Sequence, residues 1–384
     1  MRIKVQIAPL CQPYFVLFFF VLFFLSYLFS VAIFLNDDVE CRASIYTMKL
    51  ISLLTKLLHY LPSELAHHIA LKGLQISHKT GMLSLLLWKD SSKPDNSSKN
   101  TRIDVNLINR LGFAAGLDKN GQYVDCLAAL GVGFIEVGTV TPRPQPGNLK
   151  PRLFRNKKDK SIINRLGFNN SGVDRLVLNL KQRKSSIPIG ISIGKNFDTP
   201  IELAVEDYSK CMKKVYQYSD YIAINISSPN TLHLRDLSNK EYLDSLLGKL
   251  KSIQNELSLQ YGYKPMYLKI SPDEELHNIK QICASILEKK IDGIICTNTT
   301  IDHQHGLTLG GLSGAPLKNK SNQILKTVKD IVDTKVSIIA SGGVMSDADY
   351  QEKLNAGADL VQIYTGFIYK GPQLIKDILN LPTS

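Results

Sequence analysis

From residue 110 onward the chain alternates regularly between short apolar runs and amphipathic stretches, and this alternation limits the possible fold more than any other feature. The apolar runs lie at residues 112–116, 133–138, 188–193, 220–226, 266–271, 292–297, 336–341 and 359–364. The helical patterns between them include residues 201–217, 239–260, 274–289 and 318–333. Near-continuous apolar strands that alternate with helices indicate a parallel sheet covered on its outer side. Eight such units in about 270 residues predict a (β/α)8 barrel, the α/β fold known as a TIM barrel.

A doubly wound open sheet is the alternative fold for the same alternation. Dinucleotide-binding sheets of that type carry a G-x-G-x-x-G run after the first strand, and this chain has none there. The barrel is therefore favoured. Barrel enzymes build their sites from the loops that follow the strands, at the C-terminal face. The long segments 141–168 and 299–316 follow the second and sixth predicted strands, so we expect both at that face.

Polar side chains collect where the predicted strands end. They are Lys119, Thr139, Asn225, Lys269, Thr297, Asn298, Tyr364 and Thr365, together with Gly342 and Gly343 after the seventh strand. One polar strand end alone is usually a cap or a solvated residue. Because the ends of all barrel strands meet at one face, seven of them with polar groups predict a functional site.

The ends of the last two predicted strands are typical of a phosphate site. The run "ASGGV" (340–344) places two glycines where backbone N–H groups can approach an anion, and "YTGF" (364–367) opens a helical turn. Loops after these two strands form the common phosphate site of barrels, and the phosphate of FMN is a natural occupant. Lys119 and Lys269 would then face the flavin ring or an anionic substrate, where a lysine stabilises the negative charge of the reduced flavin.

The segment "INISSPNT" (224–231) follows the fourth predicted strand and holds two serines, Ser227 and Ser228. The nearest histidine is His233, and no Ser-His-Asp order is present. Pro229 biases Ser228 away from the helical region, so we expect an extended loop that folds over a substrate. A serine in this loop would need some route other than an imidazole to pass on its proton.

Composition excludes few classes of function. The net charge is +12 and the isoelectric point about 9.2, which suits an anionic lipid, an acidic small molecule or nucleic acid. The lysines and arginines are scattered and form no stripe with aromatic residues, so we expect no nucleic-acid partner. The six cysteines show no C-x-x-C pair and no regular spacing, which indicates reduced thiols and neither a disulfide framework nor a metal site.

The first 47 residues contain an uncharged apolar segment at residues 14–35 that is long enough to span a bilayer. It is too long for a typical signal-peptide core, and no A-x-A-like cleavage site follows it. Lysine and arginine are nearly balanced on its two sides, so orientation is not predicted. Met48 would itself be a sensible start, so residues 1–47 are either a membrane anchor or an over-extended gene model.

Residues 48–90 are predicted to form an amphipathic helical region. Residues 49–59 place leucines and Ile51 on one side with lysines and His59 opposite, and Pro62 suits the first turn of a second helix at 63–78. Two short helices with an apolar cleft can lie at a membrane surface, or they can pack on the main domain. Residues 91–101 are predicted to form a polar linker, and residues 102–384 are predicted to form the catalytic barrel.

Eight motifs in order resemble dihydroorotate dehydrogenase of the quinone-dependent, membrane-associated class. They are "AAGLDKNG", "GTVTPRPQPGNLKPRLFR", "INRLGFNNSGVD", "IGKNFDTP", "YIAINISSPNT", "CTNTT", "GGLSGAPL" and "VQIYTGFIYKGP". The resemblance covers about residues 48–380 with little gapping, and motifs this long and numerous are very specific.

The resemblance implies an FMN-containing barrel that oxidises dihydroorotate to orotate in the de novo synthesis of pyrimidines. By motif, FMN would contact Ala115, Gly116, Leu117, Asp118, Lys119, Thr139, Ser192, Asn225, Lys269, Thr297, Gly314, Gly343, Tyr364 and Thr365. The substrate would contact Lys119, Asn164, Arg165, Leu166, Gly167, Phe168, Asn225, Asn230, Asn298 and Thr299. Asparagine amides donate and accept in fixed geometry and a lysine neutralises a carboxylate, which suits a planar, amide-rich ring with one carboxylate.

The resemblance also assigns catalysis to Ser228, as the general base that removes the C5 proton while hydride passes from C6 to the flavin. A serine hydroxyl is a very weak base, so its own proton must leave along a relay. The resemblance points to Thr231 and a water for that relay, and to Phe168 as a wall that excludes solvent. Ser227 is expected to satisfy backbone groups.

Two features favour the quinone-dependent class. The soluble classes, which use fumarate or NAD, have cysteine at the position of Ser228. The helical pair 49–78 also resembles the quinone tunnel of this class, with His67 and Arg155 at its inner end. Electrons would then pass to a membrane quinone, and the protein would bind the bilayer surface, on the cytoplasmic side of a bacterial inner membrane or at a mitochondrial inner membrane.

One residue departs from the family pattern: Ser192 stands where asparagine is usual. Serine keeps a donor and an acceptor but reaches less far, so we expect one flavin contact to be lost or bridged by water. The extended N-terminus also departs, because the presequence of eukaryotic members is rich in arginine and this one is not.

Two alternatives stay open on the sequence. One is another FMN barrel oxidoreductase, such as a soluble dihydroorotate or dihydrouracil dehydrogenase, which activity with fumarate or NAD would identify. The other is a non-catalytic, membrane-anchored phosphate-binding barrel, which flavin absorbance would exclude. The sequence predicts neither the particular quinone nor the oligomeric state.

Overall fold

The computed structural model of this chain describes residues 51–83, 107–303 and 309–380. The chain divides into two compact units, Met1–Ser91 with Leu381–Ser384, and Ser92–Asn380. The apolar segment 14–35 and the polar segment 91–101, predicted as an anchor and a linker, lie outside the described residues.

The first unit contains the predicted pair of helices. Residues 51–58 are helical, and a second helix covers Ser63–Lys79 after Pro62, whose φ of −50° suits a helix start. Leu54 and Leu71 are buried, whereas Leu53, Leu57 and Leu65 are exposed. Part of the apolar side of the pair therefore remains in contact with solvent. None of the helices in the described part of the chain is long and apolar enough to cross a membrane.

The second unit is a closed barrel of eight parallel strands with an additional three-stranded sheet. In chain order the strands are β1 (Leu111–Phe113), β2 (Phe134–Val140), β3 (Leu153–Asn156), β4 (Ser161–Asn164), β5 (Ile189–Ile193), β6 (Tyr221–Asn225), β7 (Met266–Ile270), β8 (Gly293–Cys296), β9 (Gly311–Gly314), β10 (Ser337–Ser341) and β11 (Leu360–Ile363). The barrel order is β1-β11-β10-β8-β7-β6-β5-β2, closed between β1 and β2. Each predicted apolar run overlaps one barrel strand, so the predicted (β/α)8 barrel is confirmed.

Helices follow the barrel strands and cover their outer side. The second helix of the first unit, Ser63–Lys79, is counted as α1, and the helices of the barrel unit are in chain order α2 (Val124–Ala128), α3 (Val173–Lys181), α4 (Ala204–Val215), α5 (Lys240–Tyr261), α6 (Leu276–Glu288), α7 (Lys318–Val332), α8 (Asp347–Asn355), α9 (Thr365–Lys370) and α10 (Pro372–Leu379). The four helical patterns of the sequence correspond to α4, α5, α6 and α7. Each of these four helices buries one apolar stripe, as the leucines of α5 show.

Aromatic rings fill the interior of the barrel near the amino ends of its strands. Phe134, Tyr221 and Tyr267 are buried there, and the ring centroids of the two tyrosines lie 5.3 Å apart. Each ring lies against a glycine of the neighbouring strand; Tyr221, for example, pairs with Gly190. A Cβ on Gly190 would lie 1.9 Å from the Tyr221 ring, so the glycine provides the space for the ring. This end of the barrel is a packed core, and the opposite end remains for a site.

The two long segments after β2 and β8 meet in a small antiparallel sheet of order β3-β4-β9. Ser161 pairs with Gly314, and Asn164 with Gly311. The sequence predicted both segments at the C-terminal face but did not predict that they form a sheet. Side chains of this sheet form one wall of the cavity described next.

Candidate active site

A cavity opens at the carboxyl ends of the barrel strands, between those ends and the small sheet. It is lined by Ala114, Ala115, Gly116, Lys119, Thr139, Leu153, Ile162, Asn164, Leu166, Gly167, Phe168, Asn225, Ser228, Asn230, Lys269, Thr297, Asn298, Thr299, Ser313, Leu317, Ser341 and Tyr364. Its empty volume is about 900 Å³, including the open mouth.

Sixteen of the site residues predicted from the sequence line this cavity. Lining residues that were not predicted are Ala114, Leu153, Ile162, Ser313, Leu317 and Ser341. Three of these belong to the small sheet, which the sequence analysis did not foresee. The polar residues at the strand ends are therefore brought together as their position along each strand predicts.

A chain of hydrogen bonds fixes the amides at the floor of the cavity. Asn225 Nδ2 donates to Thr139 Oγ1 at 2.8 Å, and the hydroxyls of Thr139 and Ser192 lie 2.8 Å apart. Asn298 Nδ2 donates to Asn225 Oδ1 at 3.3 Å. On the opposite wall, Asn230 Nδ2 donates to Asn164 Oδ1 at 3.0 Å. The orientation of each amide is set by a neighbour, so the amides line the cavity in a fixed pattern.

The two serines after β6 have different surroundings. Ser227 Oγ donates to Asn225 Oδ1 at 3.2 Å and accepts from Asn298 Nδ2 at 3.0 Å. Ser228 lines the cavity, and its Oγ accepts a long hydrogen bond of 3.3 Å from the backbone N–H of Asn230. The hydroxyl proton of Ser228 can therefore be directed into the cavity, whereas the hydroxyl of Ser227 is held by its neighbours.

Thr231 and Phe168 flank the Ser228 loop in different ways. Thr231 is buried but does not line the cavity, and its Oγ1 has no hydrogen-bond partner among the described residues. Phe168 lines the cavity, has a positive φ of 52° and is only 9% exposed. Its ring lies close to Gly194, where a Cβ would come within 2.9 Å of it. The ring thus forms an apolar wall of the site.

Lys269 reaches the cavity from β7 and lies 3.3 Å, Nζ to Oε1, from the carboxylate of Glu136. Glu136 is fully buried and accepts two further hydrogen bonds, from Tyr221 at 3.0 Å and from Gln362 at 2.7 Å. Sequence reasoning did not select Glu136. An acidic residue within the apolar run "GFIEVG" was the signal that could have identified it, because buried carboxylates are rare unless paired. Lys119, the other predicted lysine, also lines the cavity and donates to Gly116 O at 3.0 Å.

Some predicted residues are not part of the cavity lining: Leu117, Asp118, Thr231, Arg165, Ser192, Gly314, Gly343 and Thr365. Asp118 is buried and accepts backbone N–H bonds from Asn120, Gln122 and Tyr123, so it shapes the turn after β1. Burial raises the pKa of Asp118, and these hydrogen bonds oppose the rise.

Two predicted FMN contacts outside the cavity lining, Gly314 and Gly343, pack closely against other parts of the chain. A Cβ on Gly314 would lie 3.0 Å from Thr365 Cγ2, and one on Gly343 would lie 2.3 Å from Lys318 Cα. Both glycines have positive φ values, of 96° and 80°. Only glycine provides such close approach of backbone segments at these two positions.

The two residues predicted to serve a quinone belong to different units. His67 lies on α1 in the first unit, and Arg155 lies on β3 in the second. Burial lowers the pKa of Arg155. Their assignment to a quinone stays a prediction.

Comparison with known proteins agrees with this geometry. The family model for dihydroorotate dehydrogenase matches residues 98–381. "Dihydroorotate dehydrogenase (quinone)" of Aliivibrio salmonicida is 50% identical over 327 residues, covering 83% of this chain and 96% of that protein. The protein of the same name from Nitrosospira multiformis is 46% identical over 339 residues, covering 86% and 95%.

Solved structures show the same similarity. The crystal structure of DHODH from Eimeria tenella in complex with ferulenol has a TM-score of 0.74 and 34% sequence identity to this chain, and the match covers 83% of this chain and 90% of that one. The ligand-free structure from the same organism has a TM-score of 0.72. On sequence and fold, this chain belongs to the dihydroorotate dehydrogenase family.

Proposed function

We propose that this protein oxidises dihydroorotate to orotate in pyrimidine synthesis, with FMN as cofactor and a membrane quinone as final electron acceptor. The observation that carries the proposal is the Ser228 hydroxyl in a cavity lined by oriented asparagine amides and a buried lysine. The names of relatives that are 46–50% identical support the same substrate and the same class of acceptor.

The residues around the cavity fit FMN. Ser341 and Tyr364 at the ends of β10 and β11 line it, and the loop after β10 with Gly342 and Gly343 and the start of α9 at Thr365 would offer backbone N–H groups to a phosphate. Lys269 would place a positive charge beside the ring, with Thr139 and Asn225 as hydrogen-bonding groups. When bound, FMN supplies the acceptor for the hydride that leaves C6 of dihydroorotate.

Other residues of the lining suit dihydroorotate. Asn164, Asn230 and Asn298 present amides that can pair with the ring amides of the substrate. Lys119 is a cation within the lining and would neutralise the substrate carboxylate. Phe168 also lines the cavity, and its buried ring would exclude water from the reacting carbon atoms.

Ser228 would take the C5 proton as the general base. A hydroxyl can do so only if its own proton leaves as the new one arrives. Thr231 is near in sequence, buried, and has an Oγ1 without a partner among the described residues, so it supports a relay through Thr231 and a water. Ser227 is unsuited to the role because Asn225 and Asn298 hold its hydroxyl.

Delivery of electrons to a quinone would take place at a membrane surface. The exposed leucines of the helical pair, Leu53, Leu57 and Leu65, support this location, because an amphipathic pair can insert its apolar side between lipid head groups. His67 and Arg155 would serve the quinone and not dihydroorotate. Activity with a soluble quinone analogue, and none with fumarate or NAD, would distinguish this class from the soluble dehydrogenases.

The decisive experiment compares the two serines. Ser228→Ala should slow reduction of the flavin by dihydroorotate by about 10²–10⁴-fold, the usual contribution of a general base, with FMN content unchanged. Ser228→Cys should retain more activity than Ser228→Ala, because a thiol can also take the proton. Stopped-flow measurement of flavin absorbance gives these rates.

Ser227→Ala is the matched control, since it removes a hydroxyl one residue away that does not line the cavity. It should slow the reaction much less than Ser228→Ala. A wild-type rate of flavin reduction in Ser228→Ala would show that the base lies elsewhere.

A further inference from the structure

Three loops of the C-terminal face meet at one arginine outside the cavity lining. Arg235 lies in the short 3-10 helix Leu234–Ser238 that follows the Ser228 loop. Its guanidinium donates to Ser227 O at 3.2 Å, to Asp273 Oδ2 at 2.9 Å and to Thr299 O at 3.1 Å. These acceptors belong to the loops after β6, β7 and β8. One rigid side chain thus joins three loops that are distant in sequence.

The carboxylate that holds Arg235 is itself firmly fixed. Asp273 accepts hydrogen bonds from Lys320 Nζ at 2.7 Å, from the backbone N–H of Ile301 at 2.9 Å and from the hydroxyl of Thr300. Burial alone would raise the pKa of Asp273, but these partners and Arg235 together hold it below its usual value. The anchor is therefore a carboxylate, and its bonds to both cations are the strong, charge-assisted kind.

The two backbone carbonyl groups that accept from Arg235 belong to residues that are next, in the sequence, to proposed site residues. Ser227 directly precedes Ser228, and Thr299 directly follows Asn298. Ser228, Asn298 and Thr299 all line the cavity. The guanidinium therefore sets the distance between the loop that carries the proposed base and the loop that carries two proposed substrate contacts.

We propose that Arg235 is a positioning residue that holds the Ser228 loop against the Asn298–Thr299 loop and so places the Ser228 hydroxyl for proton removal. The inference rests on the proposed role of Ser228. Lysine cannot replace arginine here, because its single ammonium group cannot bond three acceptors in one plane. A misplacement of about 1 Å in a reacting group can cost on the order of 10²-fold in rate.

Arg235→Lys tests the proposal in the FMN-loaded full-length protein. The limiting rate of flavin reduction by dihydroorotate should fall by about 10- to 100-fold, while FMN content and melting temperature stay near wild type. In Arg235→Ala, added guanidinium ion at low millimolar concentration should restore part of the lost rate. A residue that only stabilises the fold would show neither the selective loss of rate nor the rescue.

Arg143→Lys is the matched control. Arg143 also pairs with an aspartate, Asp198, at 2.5 Å, but both side chains are more than 60% exposed. This variant should reduce its flavin at the wild-type rate. The same loss in Arg143→Lys and Arg235→Lys would overturn the inference, because the effect would then be general to arginine pairs.

The double variant Arg235→Lys/Ser228→Ala distinguishes a failure of this inference from a failure of the proposed function. If Arg235 acts through Ser228, Arg235→Lys should add little to the loss caused by Ser228→Ala, since coupled residues are not additive. Full additivity, or a wild-type rate in Arg235→Lys while Ser228→Ala is slow, would overturn the role of Arg235. A wild-type rate in Ser228→Ala would instead overturn the proposed function.

A second variant covers the case in which Arg235→Ala does not fold. Asp273→Asn keeps the shape of the side chain that holds Arg235 and removes its charge. It should therefore slow flavin reduction, as Arg235→Lys does. A wild-type rate in Asp273→Asn would contradict the proposal.

Discussion

Two buried lysines, in different regions of the barrel, have opposite surroundings. Lys269 lies inside the barrel on β7, lines the cavity and faces the Glu136 carboxylate at 3.3 Å. Lys353 lies on α8 in the outer helical layer, is fully buried and donates to the hydroxyl of Ser321 at 2.5 Å. Lys353 does not line the cavity. The two residues thus share burial, but Lys269 has a carboxylate at ion-pair distance, whereas among the described residues Lys353 forms no ion pair and Asp349 and Glu352 act on it only from farther away.

The difference shows where this fold places a counter-charge for a buried lysine. Burial disfavours an ammonium ion unless an opposite charge is close. Burial lowers the pKa of Lys353 to about 8, so this lysine loses its charge readily. Lys269, in contrast, has a buried counter-charge that Tyr221 and Gln362 hold in place. We infer that a buried carboxylate is provided where the ammonium ion faces the cavity.

The largest effect on stability is expected from Glu136→Leu. It leaves the Lys269 ammonium buried without its partner, which should lower the free energy of unfolding by about 3–5 kcal/mol. The double variant Glu136→Leu/Lys269→Met should recover most of that loss, because it removes both charges. Urea denaturation of the three proteins measures this. A double variant less stable than Glu136→Leu alone would contradict the pairing.

Lys353→Met should have a smaller effect and should raise the free energy of unfolding at neutral pH. Because the folded-state pKa of about 8 lies below the ordinary 10.5, the unfolded chain binds more protons between these values. Stability contributed by Lys353 is therefore full above about pH 10.5 and is lost as the pH falls through 8. At pH 7 the variant should gain up to about 3 kcal/mol, less about 1 kcal/mol for the lost hydrogen bond to Ser321.

Urea denaturation at pH 7 and at pH 10 measures the effect of Lys353→Met. Wild type should gain stability relative to Lys353→Met as the pH rises over this interval. An unchanged difference between the two proteins at both pH values would show that Lys353 keeps its charge in the folded state.

Lys214→Met should have the smallest effect. Lys214 pairs with Asp174 at 2.5 Å on the surface, where the side chains are 49% and 73% exposed. Exposed ion pairs contribute about 0–1 kcal/mol, so the urea midpoint should hardly move. A loss as large as that of Glu136→Leu would mean that burial does not determine how much an ion pair contributes to the stability of this fold.

The barrel could be predicted from the sequence because parallel strands covered on both faces are continuous apolar runs. All eight runs, such as "DYIAINI" for β6, stand out without any knowledge of their partners. The small sheet could not be predicted in this way. Its strands β3, β4 and β9 have four residues each, with no long apolar run, and β9 pairs with a strand far away in the sequence.

Those site residues that lie at the carboxyl ends of barrel strands could be predicted from the sequence. Asn225, Lys269 and Asn298 follow from their positions alone, because the carboxyl ends of barrel strands share one face. Glu136 and Arg235 were missed, since their roles depend on partners in other loops and strands. Ser192 was expected to lose or bridge a flavin contact; in the structure its hydroxyl lies beside that of Thr139, and the flavin contact stays a prediction.

Closure of the barrel has a consequence for the order of folding. Leu111 at the start of the barrel pairs with Val361 near its end, and Ser161 of the cavity wall pairs with Gly314. Contacts between such distant segments form slowly, because a long loop must close before they are made. On the ribosome, the chain therefore has no complete cavity until β11 has emerged, and the proposed FMN site does not exist in a shorter nascent chain.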